Sequence, residues 1–329
     1  MSFNILILVA TLYVCFLFAV AFMADRRARR GRLGWLRSPV VYTLSLSIYT
    51  TAWTFYGAVG SAVRNGLEFL AIYLGPTLVF VGWWWLLRKL VRIGRMHRIT
   101  SIADLLSSRY GKSAFLAVIV TLLAVFATTP YVALQLQSVA LSFSVFAEAS
   151  GGEGGPSLNT TALWVAAGLA LFTILFGTRT LDSNEQHHGV VTAIAVEAVV
   201  KLVALLTVGA FVVWGVASGP ADILERIAAA DISVKSASGS RWVTLMVLSA
   251  AAIVCLPRMF QVTVVENSDE RHLATASWAF PLYLFLMSLF VLPIAVMGLA
   301  EMPAGSNPDL YVLTLPIFHD QEALAMLAF

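Results

Sequence analysis

Charge is scarce in this chain. Only 12% of its 329 residues are Asp, Glu, Lys or Arg, against roughly 25% in an ordinary soluble domain. Cysteine is scarcer: Cys15 and Cys255 both lie in apolar runs, which suits packing and provides neither a disulfide framework nor metal-ligand spacing. No phosphate-binding glycine loop or nucleophile elbow occurs, so no covalent catalysis or cofactor is expected. The net charge of +3 gives no basis for nucleic-acid binding. Met1 to Asn4 lack the basic residues of a secretory signal, and charge instead follows the first apolar run. The five histidines, His97, His187, His188, His272 and His319, fall in predicted loops or at span edges. His187 and His188 near Asp182 and Glu185 match no metal motif, and a solvated polar turn is the stronger reading.

What the chain has is hydrophobicity, at 59% of its residues. Packing that much apolar surface against water is untenable at this length, and a bilayer removes the need. A helical span takes about 20 largely apolar residues. Such runs fall at 5–23, 39–60, 67–87, 114–147, 162–178, 189–215, 242–260 and 276–299. A ninth begins at 322 and is still apolar at Phe329, so the simplest reading is a fragment ending inside a span. Six arginines lie between spans one and two, and seven Lys or Arg between Arg88 and Lys112. The loops 148–160 and 301–321 hold acids but no Lys or Arg. The positive-inside rule then places the N-terminus outside, with alternating parity through every span. Residues 100–108 and 221–230 read as short helices at the membrane surfaces, and Gly151 to Pro156 as an outer turn.

Polar chemistry concentrates in a few places. Ser45, Ser47, Thr50, Thr51 and Thr54 fall within ten positions of span two, beside Trp53 and Tyr56. Such a stretch suits a partly unwound helix whose hydroxyls and freed carbonyls replace a cation's water. Close helix packing through small residues is the alternative. Span four, at ~1.5 Å per residue, outreaches the hydrocarbon and carries Thr128-Thr129-Pro130-Tyr131, Gln135 and Gln137. Pro130 is expected to kink it. Span six carries Glu197 and Lys201, one turn apart at mid-membrane depth, where isolated charges are costly and a pair is expected. The pair is either functional or purely structural. In span seven, Pro257 interrupts helical bonding where the span is expected to meet the cytoplasm, either as another discontinuous helix or simply as a helix end.

These features resemble the sodium/solute symporter family over the whole chain. The resemblance rests on an extra first span, the Ser/Thr-rich second span with Trp53, and the segment Ile99-Thr-Ser-Ile-Ala-Asp-Leu-Leu-Ser-Ser-Arg-Tyr-Gly111. Three further segments are similar to one subgroup, the N-terminal membrane domain of sensor histidine kinases of the carbon- and nitrogen-utilisation type. They are Phe176 to Gly189, Val196-Glu-Ala-Val-Val-Lys-Leu-Val203, and Leu256-Pro-Arg-Met-Phe-Gln-Val-Thr-Val-Val-Glu-Asn267. The resemblance implies an all-α integral membrane fold of two inverted five-helix repeats after an extra N-terminal helix, one domain over 1–329, truncated in the second repeat. It implies a bacterial inner-membrane location and transport or sensing of a small solute, such as an amino acid. The domain would be the input module of a two-component kinase, with C-terminal PAS and kinase domains and a response regulator as partners. The alternative is a stand-alone symporter. Cation contacts carry over to Ser47, Thr50 and Thr51, and substrate contacts to Trp53, Tyr56, Gln135 and Pro257. Na+ is the coupling ion the resemblance offers. Tyr49 stands where some members have an acid, and the family's Trp-Thr-Asp signature is absent, so a proton or no coupling ion stays open. A ligand-free structural protein is the third reading.

Overall fold

A computed structural model describes residues 3–31, 34–149, 158–174, 187–230 and 239–329. These residues are helical, with no strand among them. Four helices are individually long and apolar enough to cross a membrane: Asn4–Arg29, Ala114–Ala147, His188–Val216 and His272–Glu301. A bent pair, Gly239–Cys255 and Pro257–Val265, meeting at 56°, is apolar enough to form a fifth crossing if the two halves make one span.

In chain order the helices are α1 (Phe3–Arg29), α2 (Pro39–Ser45), α3 (Ala58–Asn65), α4 (Leu70–Val81), α5 (Leu87–His97), α6 (Ile102–Arg109), α7 (Ala114–Ala149) and α8 (Leu158–Phe172). After these come α9 (His188–Phe211), α10 (Pro220–Ala229), α11 (Gly239–Cys255), α12 (Pro257–Phe260), α13 (His272–Leu289), α14 (Val291–Glu301), α15 (Tyr311–Phe318) and α16 (Glu322–Ala328). The packed centre is made by α2, α4, α9 and α13, with α1 against α9 and α11 against α4. Phe80 of α4 and Phe280 of α13 meet edge to face at 4.8 Å, and Tyr49 packs on Phe280 at 6.5 Å. Apolar side chains of α7 and α8 such as Phe115, Phe126 and Trp164 are exposed, as suits helices facing hydrocarbon or a further helix layer.

Small residues let the central helices approach. Ser249 of α11 donates to the Ala71 carbonyl of α4 at 2.9 Å. Gly75 lies beside it, where a Cβ would come within 2.5 Å of the Met246 carbonyl oxygen and 2.7 Å of the Ala250 nitrogen. Backbone cannot yield as a side-chain tip can, so this contact requires glycine.

Ion pairs tie the two ends of the bundle. At the Arg-rich end, Arg92 holds Glu270 with contacts of 2.6 and 2.9 Å, and Arg88 joins at 3.5 Å. The hydrogen bond from Arg92 pulls the Glu270 carboxyl down to about 2. At that end Asp25 of α1 also accepts from the Gly189 amide at 2.6 Å. At the opposite end Arg64 pairs with Asp309 at 2.7 Å, and Arg241 pairs with Glu68. The loops expected on one side of a membrane thus lie together at one end.

Several spans differ from the hydropathy reading. Helix in span three stops at Val81, and a turn through Gly82–Leu86 leads into the basic α5. The expected outer loop 301–321 contains α15, whose Val312, Leu313 and Leu315 are fully buried. This helix is too short to register as a span and is covered by protein instead. Helix resumes from Pro257 to Val265 after a 56° bend, so Pro257 stands at a discontinuity in the helix. Helix α7 continues through Pro130. Helices α6 and α10 match the expected surface helices. The Ser101 hydroxyl caps α6 by accepting from the Asp104 amide at 3.1 Å, while the Asp104 carboxylate accepts from the Thr100 amide at 3.0 Å. The expected outer turn 151–156 lies outside the described residues.

The Gly75 contact yields a prediction. Gly75→Val is expected to destabilise the folded bundle by about 1–3 kcal/mol through overpacking against backbone. Thermal unfolding in detergent reads this as a lowered midpoint, and an unchanged midpoint would refute the packing described.

Candidate functional site

The second span is not one helix. Ser38 caps α2 by accepting from the Val41 amide at 3.3 Å, and Pro39 begins it. Helix tightens into a three-ten turn over Leu46–Tyr49 and then opens: Thr50 is extended, with φ −84° and ψ 107°. It resumes as a wide π-helical turn over Trp53–Gly57 that leads into α3. The sequence explains the opening. Ser and Thr hydroxyls compete for backbone partners, and here the Ser45 hydroxyl donates to the Tyr42 carbonyl at 2.8 Å and the Thr50 hydroxyl to the Ser47 carbonyl at 2.7 Å.

An unwound segment inside a membrane must find partners for its freed backbone groups. Three side chains, from the same span, α4 and α9, supply them. The Thr51 amide donates to the Thr54 hydroxyl oxygen at 3.2 Å. The Thr54 carbonyl accepts from the Tyr73 hydroxyl of α4 at 3.2 Å. The Thr50 carbonyl accepts from the Lys201 ammonium of α9 at 2.9 Å. Lys201 also pairs with Glu197 at 2.8 Å. Tyr283 of α13 closes the group: its hydroxyl lies 3.4 Å from the Thr50 hydroxyl and donates to the Ala198 carbonyl at 3.3 Å. Thr50 is 1% exposed and Ser47 2%, so neither oxygen has bulk water to fall back on.

Span seven is the second interrupted helix. Leu256 is extended, with φ −73° and ψ 126°, as the residue before a proline prefers, and Pro257 restarts the helix at its first position. The two breaks adjoin, because the Leu46–Tyr49 turn packs on α12. Below them the Tyr42 hydroxyl donates to the Thr263 carbonyl at 2.9 Å.

A side-chain bridge joins the breaks. Arg258 Nη2 donates to the Tyr131 hydroxyl of α7 at 2.7 Å, and its guanidinium lies 4.2 Å from the Tyr131 ring centre. Tyr131 in turn donates to the Thr51 hydroxyl oxygen at 2.8 Å. The Arg258 Nε is buried without a hydrogen-bond partner, and so is Oε1 of Gln135, one turn beyond Tyr131 on α7. Among the described residues no carboxylate pairs with Arg258. A guanidinium with a spare buried donor is suited to accept an anionic or carbonyl-bearing ligand.

The structure therefore brings Ser47, Thr50, Thr51, Glu197 and Lys201 into one cluster, with Gln135 on the helix face that reaches it. Trp53 and Tyr56 are placed otherwise. The Trp53 indole lies along its own helix over Gly57, where a Cβ would stand 2.8 Å from it. The Tyr56 hydroxyl donates to the Ala328 carbonyl at 2.9 Å, tying α16 to span two. Pro257 shapes the break and offers no polar side chain. Tyr49 spends its hydroxyl on the Ile72 carbonyl at 2.7 Å. Sequence reasoning did not nominate Arg258, Tyr131 or Tyr283. An arginine directly after the proline of an apolar span was the available signal for the first. For Tyr283, one aromatic among many in α13, there was none. His187 bonds the Glu266 carboxylate at 3.3 Å, while Asp182 and Glu185 lie outside the described residues.

No protein-family model and no solved structure matches the chain. It is similar to the uncharacterized symporter YhjB of Bacillus subtilis, 26% identical over 278 residues, which cover 82% of this chain and 53% of that protein. It is also similar to the uncharacterized symporter YodF of the same organism, 31% identical over 101 residues, 30% of this chain and 20% of that protein. The chain thus spans about half the length of the fuller of these curated relatives.

The bridge is testable by a double-mutant cycle. Tyr131→Phe leaves buried donors of Arg258 unpaired and is expected to cost about 1–3 kcal/mol. The same change in an Arg258→Met background is expected to cost clearly less. Equal costs in both backgrounds would show that the two side chains do not interact.

Proposed function

We propose that this chain is the transport domain of a secondary transporter of the sodium/solute symporter family, moving a small solute across a membrane. Similarity over most of the chain to a protein named as a symporter supports membrane transport. The observation that carries the reading is the meeting of two interrupted helices at mid-span, with polar side chains gathered on their breaks. Interrupted helices at matching places in two halves are the usual sign of a midplane binding site. Counted after an extra α1, the breaks fall in the first and sixth spans, which is where an inverted five-plus-five repeat puts them.

The solute class follows from the charges. Among the described residues, Lys201 and Arg258 reach the breaks and only Lys201 has a carboxylate partner, Glu197. Arg258 stacks on Tyr131 with a free buried donor, and Gln135 offers a free acceptor. A small solute carrying a carboxylate together with a hydrogen-bond donor, as an amino acid does, satisfies both. Lipid is the partner of the exposed apolar helix faces. The location proposed is a bacterial plasma membrane with the N-terminus outside. A cysteine at position 2 that labels with an impermeant maleimide only in broken cells would reverse that orientation.

A finer reading makes the domain the input of a sensor histidine kinase. It rests on the three subgroup-like segments, of which 176–189 lies mostly outside the described residues. A kinase domain encoded in the same reading frame supports it, and a frame closing without one removes it.

Uptake of labelled amino acids and small organic acids into proteoliposomes tests the transport reading. Saturable, carboxylate-dependent uptake is expected. Arg258→Gln is expected to lower it about tenfold to hundredfold, chiefly through KM, as loss of a charge-assisted contact worth ~1.5–3 kcal/mol would. No uptake of any such solute under sodium or proton gradients would end the proposal.

A further inference from the structure

The oxygens that would coordinate a cation in span two are already engaged. The Ser47 carbonyl takes both the Thr50 amide at 2.8 Å and the Thr50 hydroxyl at 2.7 Å. The Thr51 hydroxyl oxygen takes the Tyr131 hydroxyl at 2.8 Å. The Thr50 carbonyl, freed by the break, takes the ammonium of Lys201 at 2.9 Å. Lys201 is the fourteenth of the 29 residues of His188–Val216, so its charge sits at the middle of the span. Glu197, one turn earlier on the same helix, balances it at 2.8 Å. Tyr283 of α13 brings its hydroxyl to the same carbonyl segment.

We infer that the Lys201 ammonium is a tethered cation standing where a coupling sodium would bind, so that the break in span two is held together without Na+. Three physical points agree. A primary ammonium carries the same single positive charge as Na+ and is held by the same kind of ligand, a carbonyl oxygen, at 2.9 Å. It is anchored on a rigid helix and loses little freedom on binding. Adding Na+ beside it would put two positive charges against the single carboxylate of Glu197, which a low-dielectric site disfavours. The resemblance to sodium-coupled proteins therefore does not carry over to the ion at this position. This inference rests on the transport reading for its biological meaning but not for its test.

The test uses sodium alone as probe. Full-length protein in lipid nanodiscs is assayed for 22Na+ binding and for thermal shift on replacing choline by sodium. The wild type is expected to bind no sodium saturably and to show no sodium-specific shift. Lys201→Ala, which frees the Thr50 carbonyl and leaves Glu197 without its cation, is expected to gain saturable binding and an upward shift of several degrees. Lys201→Arg, which keeps the charge, is expected to behave as the wild type. Saturable sodium binding by the wild type overturns the inference, and that measurement stands alone if Lys201→Ala fails to fold. A folded Lys201→Ala protein that gains no sodium binding also overturns it. Failure of solute uptake would leave these readings untouched, so the two proposals fail separately.

Discussion

Everything distinctive in this protein follows from one constraint: in hydrocarbon, a backbone group that leaves a helix must find a partner inside the protein. Span two leaves its helix at Thr50 and Thr51. The freed groups are then met by a threonine of the same span, a tyrosine from α4 and a lysine from α9. The break is thus a junction of elements far apart in sequence. Lys201 lies 151 residues from Thr50, yet its ammonium completes the segment. Packing around the junction serves the same end, since α4, α9 and α13 are the helices that supply its partners.

The second break has a different origin and the same consequence. Span two opens because hydroxyl side chains draw backbone partners away, whereas span seven opens because Pro257 has no amide hydrogen and pushes Leu256 extended. Side by side, the two breaks make a polar patch in an otherwise apolar bundle. Arg258 and Tyr131 bridge it, and two cations against one acid give it a net positive charge. On the transport reading proposed above, that electrostatic sign favours a carboxylate-bearing solute and opposes a second small cation. As inferred above, an unwound helix held by the protein's own ammonium needs no external ion to hold its break together.

Much of this was legible in the sequence, because its signals are strong and local. Scarce charge and long apolar runs gave the membrane, and five hydroxyl residues in span two gave the unwinding. Two charges one turn apart gave the Glu197–Lys201 pair. Long-range partnership was not legible. Nothing in the sequence says that Lys201 reaches Thr50, that Tyr131 is shared by Thr51 and Arg258, or that Tyr56 spends its hydroxyl on the Ala328 carbonyl. Hydropathy windows also misjudged α15, because a short apolar helix covered by protein looks like a loop between spans.

The account turns on the contact between the Lys201 ammonium and the Thr50 carbonyl. The most direct measurement is rotational-echo double-resonance NMR on protein in lipid, labelled with 15N at the lysine side chain and 13C at the threonine carbonyl, with Lys201→Arg to assign the signal. The hydrogen bond seen here predicts strong dephasing at a nitrogen-to-carbon distance of about 4 Å or less, as carbonyl hydrogen-bond geometry requires. Absence of dephasing, with Thr50 carrying helical carbonyl shifts, would mean that span two is continuous and would contradict the account.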